Sequence, residues 1–247
     1  MEVSSTPTKD SLRKRIWDLL KEKDIARFPL PPHGRIPNFK GAQHAARNLT
    51  RSNEWTDAKI IKINPDSPQQ PVRQAALNEG KTLYMAVPRL RDKKCFIELN
   101  PKKLKAGFRE ATTIRGAFKR GRQLEPSEMR EVDLVVAGSV AVNYNGGRVG
   151  KGGGYSDLEY AIAREFEIIN DKTPIASTVH ELQVLEQDIP GEVHDISLDI
   201  IATPKSLKLT ETKLPRSSGI IWKLLSEDQI KAIPILKALK QGSGDRG

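Results

Sequence analysis

With 247 residues, 37% of them apolar, the chain can bury a sizeable core as one large domain or two small ones. No run of about eighteen apolar residues exists, which excludes a transmembrane helix and argues against a membrane role. The polar start MEVSSTPTKDSLRKR has no secretory stretch, and the single cysteine, Cys95, excludes an internal disulfide, so a cytoplasmic location is expected.

The net charge is +10, from 41 basic and 31 acidic residues. Residues 89–130 hold 13 Lys/Arg against 5 Asp/Glu, a surplus of 8. Three readings fit that surplus: a solvated surface, an anionic small substrate, or a nucleic acid. Aromatic residues make up only 5% of the chain, so platforms for stacking single-stranded bases are scarce.

In chain order, residues 1–8 are small and polar and are expected to fray. Leu12, Ile16, Leu19 and Leu20 share the face of a helix over about 11–24, with Lys9 and Arg13 four apart on one side. Residues 28–41 carry four prolines and two glycines and predict an irregular arm, whose Arg35, Asn38 and Lys40 could reach a substrate. A helix is expected over 42–49 and a strand over 58–64. A short helix starts at Pro71 and is stopped by Gly80, and a strand follows over 82–87. Residues 88–101 read as a hairpin or edge strand, and 102–130 as short helices with loops.

An apolar strand from residue 133 leads into a glycine-rich turn and a helix over 156–168. Strands follow over 174–179 and 196–202, with Asp199 exposed or functional. Residues 181–187 fit strand or helix, and 204–218 form a loop or ribbon. Ser226 and Gln229 form a capping box for a C-terminal helix, which Pro234 should break or restart. Alternating strands and helices predict a single three-layer α/β domain over 9–240, with a flexible tail over 241–247.

The turn is the informative stretch. Six glycines fall between residues 146 and 154, with Arg148 and Lys151 among them. Glycine is unfavourable to order and buries nothing, but it lets backbone N–H groups wrap a phosphate. The stretch Gly146-Gly147-Arg148-Val149-Gly150-Lys151-Gly152 is one residue short of a Walker loop and lacks its hydroxyl. Gly150, Gly152 and Gly154 miss the Rossmann spacing, and the kinase and G-x-S-x-G frames are absent. What stays is a strand, a glycine loop and a helix with Asp157 in its first turn. Phosphate would gain there from orphan N–H groups and the macrodipole, and a carboxylate could hold Mg²⁺.

The stretch from Arg148 through Gly150, Lys151, Gly152, Gly153, Gly154, Tyr155 and Ser156 to Asp157 resembles the R-L-G-x-G-x-G-Y-Y-D loop of the 5-formyltetrahydrofolate cyclo-ligase (methenyltetrahydrofolate synthetase) family. Three further pieces appear in family order: Lys9 to Arg13, Gly80-Lys81 through Pro88, and Pro190 through His194-Asp195 to Asp199. The resemblance implies a three-layer fold of the ribose-isomerase and CoA-transferase type, with ATP and Mg²⁺ as cofactors. It also implies that Lys9, Arg13 and Arg148 contact phosphates and that the backbone of 150–154 cradles them. Asp157 and Asp195 would hold Mg²⁺, and Tyr155 would line the shared cleft. The implied reaction uses ATP to convert 5-formyltetrahydrofolate to 5,10-methenyltetrahydrofolate, with Arg148 and Tyr155 closest to the chemistry.

Departures place the chain near a divergent branch. Ser156 replaces a tyrosine, the run from Gly138 to Asn143 replaces P-G-x-A-F-D, and residues 66–73 lack the family's Glu. His194 is read as a packing or hydrogen-bonding residue beside Asp195. Three functions compete: the cyclo-ligase on an anionic reduced folate, an ATP-using relative acting on another heterocyclic metabolite, and an RNA binder using the basic region. Asp157 and Asp195 argue against the last.

Overall fold

The computed structural model describes residues 7–104 and 107–244. Helix α1 (Lys9–Glu22) is capped by Thr8, whose hydroxyl accepts from the Ser11 amide, and buries Leu12, Ile16 and Leu20 along one stripe. The arm after it carries β1 (Ala26–Arg27) and β2 (Asn38–Phe39), a short antiparallel ribbon. Then come α2 (Ala42–Leu49), α3 (Asn53–Asp57), β3 (Ile60–Ile63), α4 (Gln70–Asn78) and β4 (Thr82–Ala86). Next are β5 (Phe96–Leu99), α5 (Pro101–Leu104), α6 (Phe108–Ala111), α7 (Ile114–Arg120) and β6 (Arg122–Leu124). The glycine-rich region contributes β7 (Leu134–Val136), β8 (Ala141–Asn143), β9 (Arg148–Val149) and α8 (Tyr155–Glu165). The chain continues with β10 (Ile175–Thr178), β11 (Val184–Leu185), β12 (Ile200–Ala202), β13 (Leu207–Leu209), α9 (Glu227–Ala232) and α10 (Pro234–Gly244).

An eight-stranded sheet of order β13-β12-β10-β7-β3-β4-β5-β6 forms the middle layer. Its central run from β12 to β4 is parallel, and β13, β5 and β6 pair antiparallel at the two ends. The strands alternate strictly between two cores, as a period of two requires. Ile61, Ile63, Leu83 and Val136 face α2, α3 and α4, while Tyr84, Val135 and Ile201 face α8, α9 and α10. The sequence's expectation of a three-layer α/β domain is met. A second sheet, β11-β8-β9, sits beside the first, and α1 packs Leu12, Ile16 and Leu20 onto its Ala141 and Val149.

Several elements differ from the sequence reading. The apolar run after residue 133 is two strands in two sheets, because the chain leaves the main sheet at Gly138-Ser139. Of the hairpin or edge strand expected over 88–101, the one strand that forms, β5, pairs antiparallel with β4 and lies one place in from the edge, covered by β6, whose polar residues hid it. Residues 181–187 are both a 3₁₀ turn and a strand. Of 196–202 only Ile200–Ala202 pairs, and Asp199 is structural: it accepts from the Ile175 amide at 2.7 Å and pairs with Arg216 at 2.7 Å. The Ser226–Gln229 capping box forms as expected, and Pro234 starts a new helix. That helix runs through Gly244, into the expected tail; residues 1–6 of the expected frayed start and 245–247 lie outside the described residues.

Two outcomes follow. Ile16→Ala should destabilise the fold by about 2–5 kcal/mol in urea unfolding, because the void lies under a fully packed helix stripe. His180 caps the 3₁₀ turn before β11 through Nδ1, which accepts from the Leu182 amide at 3.1 Å, and burial holds its pKa below the ordinary value. The unfolded chain therefore takes up the proton first as pH falls. Stability is complete above the ordinary His value and declines through acid pH. Thermal melts from pH 7.5 to 5.5, values chosen to lie roughly a unit either side of the free-imidazole pKa, should show a smaller loss for His180→Asn than for the unaltered chain.

Candidate functional site

Strand order reverses between β3 and β7: β4 lies to one side of β3, and β10 and β12 lie beyond β7. Open α/β sheets place ligands outside the carboxyl ends of strands at such a point. Here those ends deliver Asn64 after β3, Arg89 beyond β4 and Gly138 after β7, and all three line a cavity of about 490 Å³. The glycine loop, entering α8, closes the same cavity.

The loop's shape rests on its glycines. Gly152 at φ +98° and Gly154 at φ +65° take the left-handed conformation that side chains disfavour. Gly154 is also the N-cap of α8 and offers no side-chain acceptor, so the first amides of that helix are left without a side-chain cap. Arg13 grips the loop from α1, donating from Nε to the Gly150 carbonyl at 2.8 Å. Lys151 reaches across the cavity to Asp66 at 2.9 Å.

Arg148 turns inward rather than toward solvent. Its guanidinium, 2% exposed, donates to the Gly138 carbonyl from Nε and Nη2 (3.2 and 3.1 Å) and to Asp157 Oδ1 at 3.0 Å. Asp157 Oδ1 also accepts from the Ile196 amide at 3.3 Å, which ties the segment around Asp195 to the start of α8. Its Oδ2 makes no hydrogen bond among the described residues. Lys9 sits between Glu192 (2.7 Å) and both oxygens of Asp195 (2.7 and 2.6 Å), and this ammonium lowers the pKa of Glu192. Glu192, His194 and Asp195 bring ligand atoms within 4.8 Å of one another. Ten of the eleven residues singled out by sequence thus gather around one loop, from Lys9 and Arg13 on α1 to Asp157 on α8. Asp195, the eleventh, joins them through Lys9 and through its neighbour Ile196.

Sequence reasoning missed the buried floor. Lys62 donates to Glu159 at 2.7 Å, with both side chains almost inaccessible. Asn64 Nδ2 donates to the same carboxylate at 2.8 Å, while Asn64 Oδ1 accepts from the Gly138 amide and the Ser156 hydroxyl at 3.2 and 3.3 Å. Ser156 therefore has a role that a tyrosine could not fill. Arg73 lies buried beneath, donating to the carbonyls of Thr112, Asn64 and Asp66, and burial brings its pKa down to about 10 without discharging it near neutrality. In the arm, Arg35 lines the cavity; Asn38 instead bonds the Phe28 carbonyl.

Comparison with known proteins decides the class. A model of the 5-formyltetrahydrofolate cyclo-ligase family matches residues 5–204. The chain belongs to that family. A Mus musculus "methenyltetrahydrofolate synthase domain-containing protein" is 40% identical over 254 residues, spanning 100% of this chain and 67% of its own length. The Danio rerio protein of the same description is 37% identical over 245 residues, spanning 97% of this chain and 63% of its own. The chain thus spans about two thirds of the length of these relatives. An NMR structure of Aquifex aeolicus 5,10-methenyltetrahydrofolate synthetase shares the fold with a TM-score of 0.51 at 20% identity, covering 85% of this chain and 96% of that one. Among the described residues, no helix of this cyclo-ligase family member is long and apolar enough to cross a membrane.

The buried pair gives a direct test. Lys62→Met should cost about 3–5 kcal/mol in urea unfolding, because Glu159 is left without its cation. Adding Glu159→Leu should recover at least half of that loss. A single-variant cost near zero would mean that the pair carries no such charge coupling.

Proposed function

We propose that the chain is an ATP- and Mg²⁺-dependent cyclo-ligase acting on 5-formyltetrahydrofolate. The observation that carries the reading is the glycine loop, with its uncapped helix N-terminus, closing a cavity at the sheet's switch point that both cations and carboxylates line. The donor set fits the cofactors. Uncapped amides and the positive end of α8 suit phosphate oxygens. Mg²⁺ takes one or two carboxylates and otherwise phosphate and water, and Asp157 Oδ2 and Asp195 supply such oxygens. Bound ATP would supply the phosphoryl group that activates the formyl oxygen toward ring closure.

The chain's own part is positioning and charge neutralisation, with no protein nucleophile needed. Arg13 holds the α1 side of the loop and Lys9 the segment at Asp195, and both would present positive charge to phosphate. Lys151 does so from the loop itself. Arg148 fixes the orientation of Asp157 through their 3.0 Å ion pair, and Tyr155 borders the space where the two reactants meet. Arg35 and Arg89, exposed and without ion pairs among the described residues, offer the cavity mouth to an anionic substrate tail. A second reading, a different anionic heterocycle as substrate, draws support from Asp66. It stands in the region that lacks the family's Glu, and it is engaged by Lys151.

With purified protein, ATP, Mg²⁺ and 5-formyltetrahydrofolate, the methenyl absorbance band should rise. A flat trace beside intact Mg·ATP binding would favour the second reading. Asp157→Asn and Asp195→Asn should each weaken Mg·ATP binding about tenfold to a hundredfold in calorimetry, the worth of a charged contact. Unchanged affinity in both would remove the metal assignment.

A further inference from the structure

The cavity closed by the glycine loop has a second wall of different make. The arm after α1 supplies it, through Pro29, Gly34, Arg35 and Ile36. Much of the arm is thinly packed, and Phe28 and Leu30 are 83% and 58% exposed. Its tip is nevertheless held from two directions. From α1, Trp17 Nε1 donates to the Arg35 carbonyl at 3.0 Å, and His33 Nε2 donates to Asp18 Oδ1 at 2.8 Å. The His33 ring also rests against Trp17, with centroids 5.7 Å apart. From the sheet, Ile36 is buried with Leu12 and Ile16 and fits closely against Gly138, where an added Cβ would come within 3.1 Å of it.

Arg35 sits between these holds. Its amide donates to the Pro32 carbonyl at 3.2 Å, and its carbonyl accepts from Trp17, so its backbone is fixed on both sides. Its guanidinium is exposed on the cavity wall, with no hydrogen bond or ion pair among the described residues. Arg13, Arg148 and Lys151 differ in this respect, since an oxygen of the chain engages each of them. An arginine with an anchored backbone and a free fork loses less entropy on gripping a partner than one on a mobile loop. The fork itself matches a planar carboxylate with two parallel donors.

We infer that Trp17 and His33 are positioning residues that clip the arm to α1, and that the clipped Arg35 selects the second substrate by a carboxylate remote from its reacting atoms. The inference rests on the phosphate reading of the loop, which leaves the opposite wall to the second substrate. Neither Trp17 nor His33 lines the cavity, so each acts on that substrate only through Arg35. The arm thereby becomes a specificity element separate from the loop that holds phosphate.

The test is calorimetric binding, to the full chain, of 5-formyltetrahydrofolate and of its α,γ-diamide, which keeps the shape of the molecule and loses its carboxylates. The unaltered protein should bind the acid about tenfold more tightly than the diamide, the worth of a charged contact. Arg35→Met should abolish that preference by weakening the acid alone. Arg35→Lys, which keeps the charge without the fork, should retain only part of it. Trp17→Phe, which keeps an aromatic ring and removes the N–H, should lose about threefold for the acid and nothing for the diamide, and His33→Ala should behave likewise. In the Arg35→Met background Trp17→Phe should have no further effect, because it acts through the arginine. Equal weakening of acid and diamide by Trp17→Phe, or the same loss in both backgrounds, would make the clip merely structural and overturn the inference. So would a preference for the acid that survives Arg35→Met. Binding of neither compound by the unaltered chain would instead remove the folate reading of the cavity, and the selection by Arg35 with it.

Discussion

The site depends on one buried cation. Arg148, carried by the second sheet, joins the end of β7, through the Gly138 carbonyl, to the start of α8, through Asp157. Taking a guanidinium out of water costs roughly several kcal/mol, and that penalty is offset by a carboxylate partner and hydrogen bonds to oxygen. Arg148 makes three such contacts, one of them to the Asp157 carboxylate. The main sheet, the small sheet and the loop between them consequently have one relative placement, and the glycines can be free of side chains without the loop being free of shape.

The same logic of paired charge runs through the floor beneath it. Lys62 on β3 points to the α8 side of the sheet, where its neighbours in register are apolar. Only Glu159 makes that position tolerable, and Asn64 completes the carboxylate's hydrogen bonds. The network binds β3 to α8 below the cavity as Arg148 binds β7 to α8 beside it. Helix α8 therefore presents its uncapped N-terminus from a base tied to two strands, and an electrostatic site requires its dipoles to be so oriented.

Local signals made much of this legible in the sequence. The helix over 42–49, the Ser226–Gln229 box and the strand over 82–87 each follow from spacing and caps within a few residues. The loop was readable because six glycines with two cations have no use in a core. What stayed hidden was set by distance along the chain. Lys62 and Glu159 lie 97 residues apart, and nothing near either announces a partner. Between residues 134 and 142 only Gly138-Ser139 interrupts the apolar run, a break too short to announce a passage from one sheet to another. Motif position placed Arg148 at the loop but did not show that its side chain turns to the Gly138 carbonyl and Asp157.

The direction of that side chain changes how the positive charge is divided. With Arg148 and Arg13 engaged by loop carbonyls and nearby carboxylates, and Lys9 held between Glu192 and Asp195, the cations nearest the loop are already balanced. Arg35 and Arg89 at the mouth are not. A balanced set can be rearranged by an incoming anion at little electrostatic penalty, because each released carboxylate becomes available to a metal ion. An unbalanced pair at the rim acts earlier, drawing an anion toward the cavity before contact. Unpaired positive charge is thus concentrated at the entrance, whereas the charges at the loop are already paired.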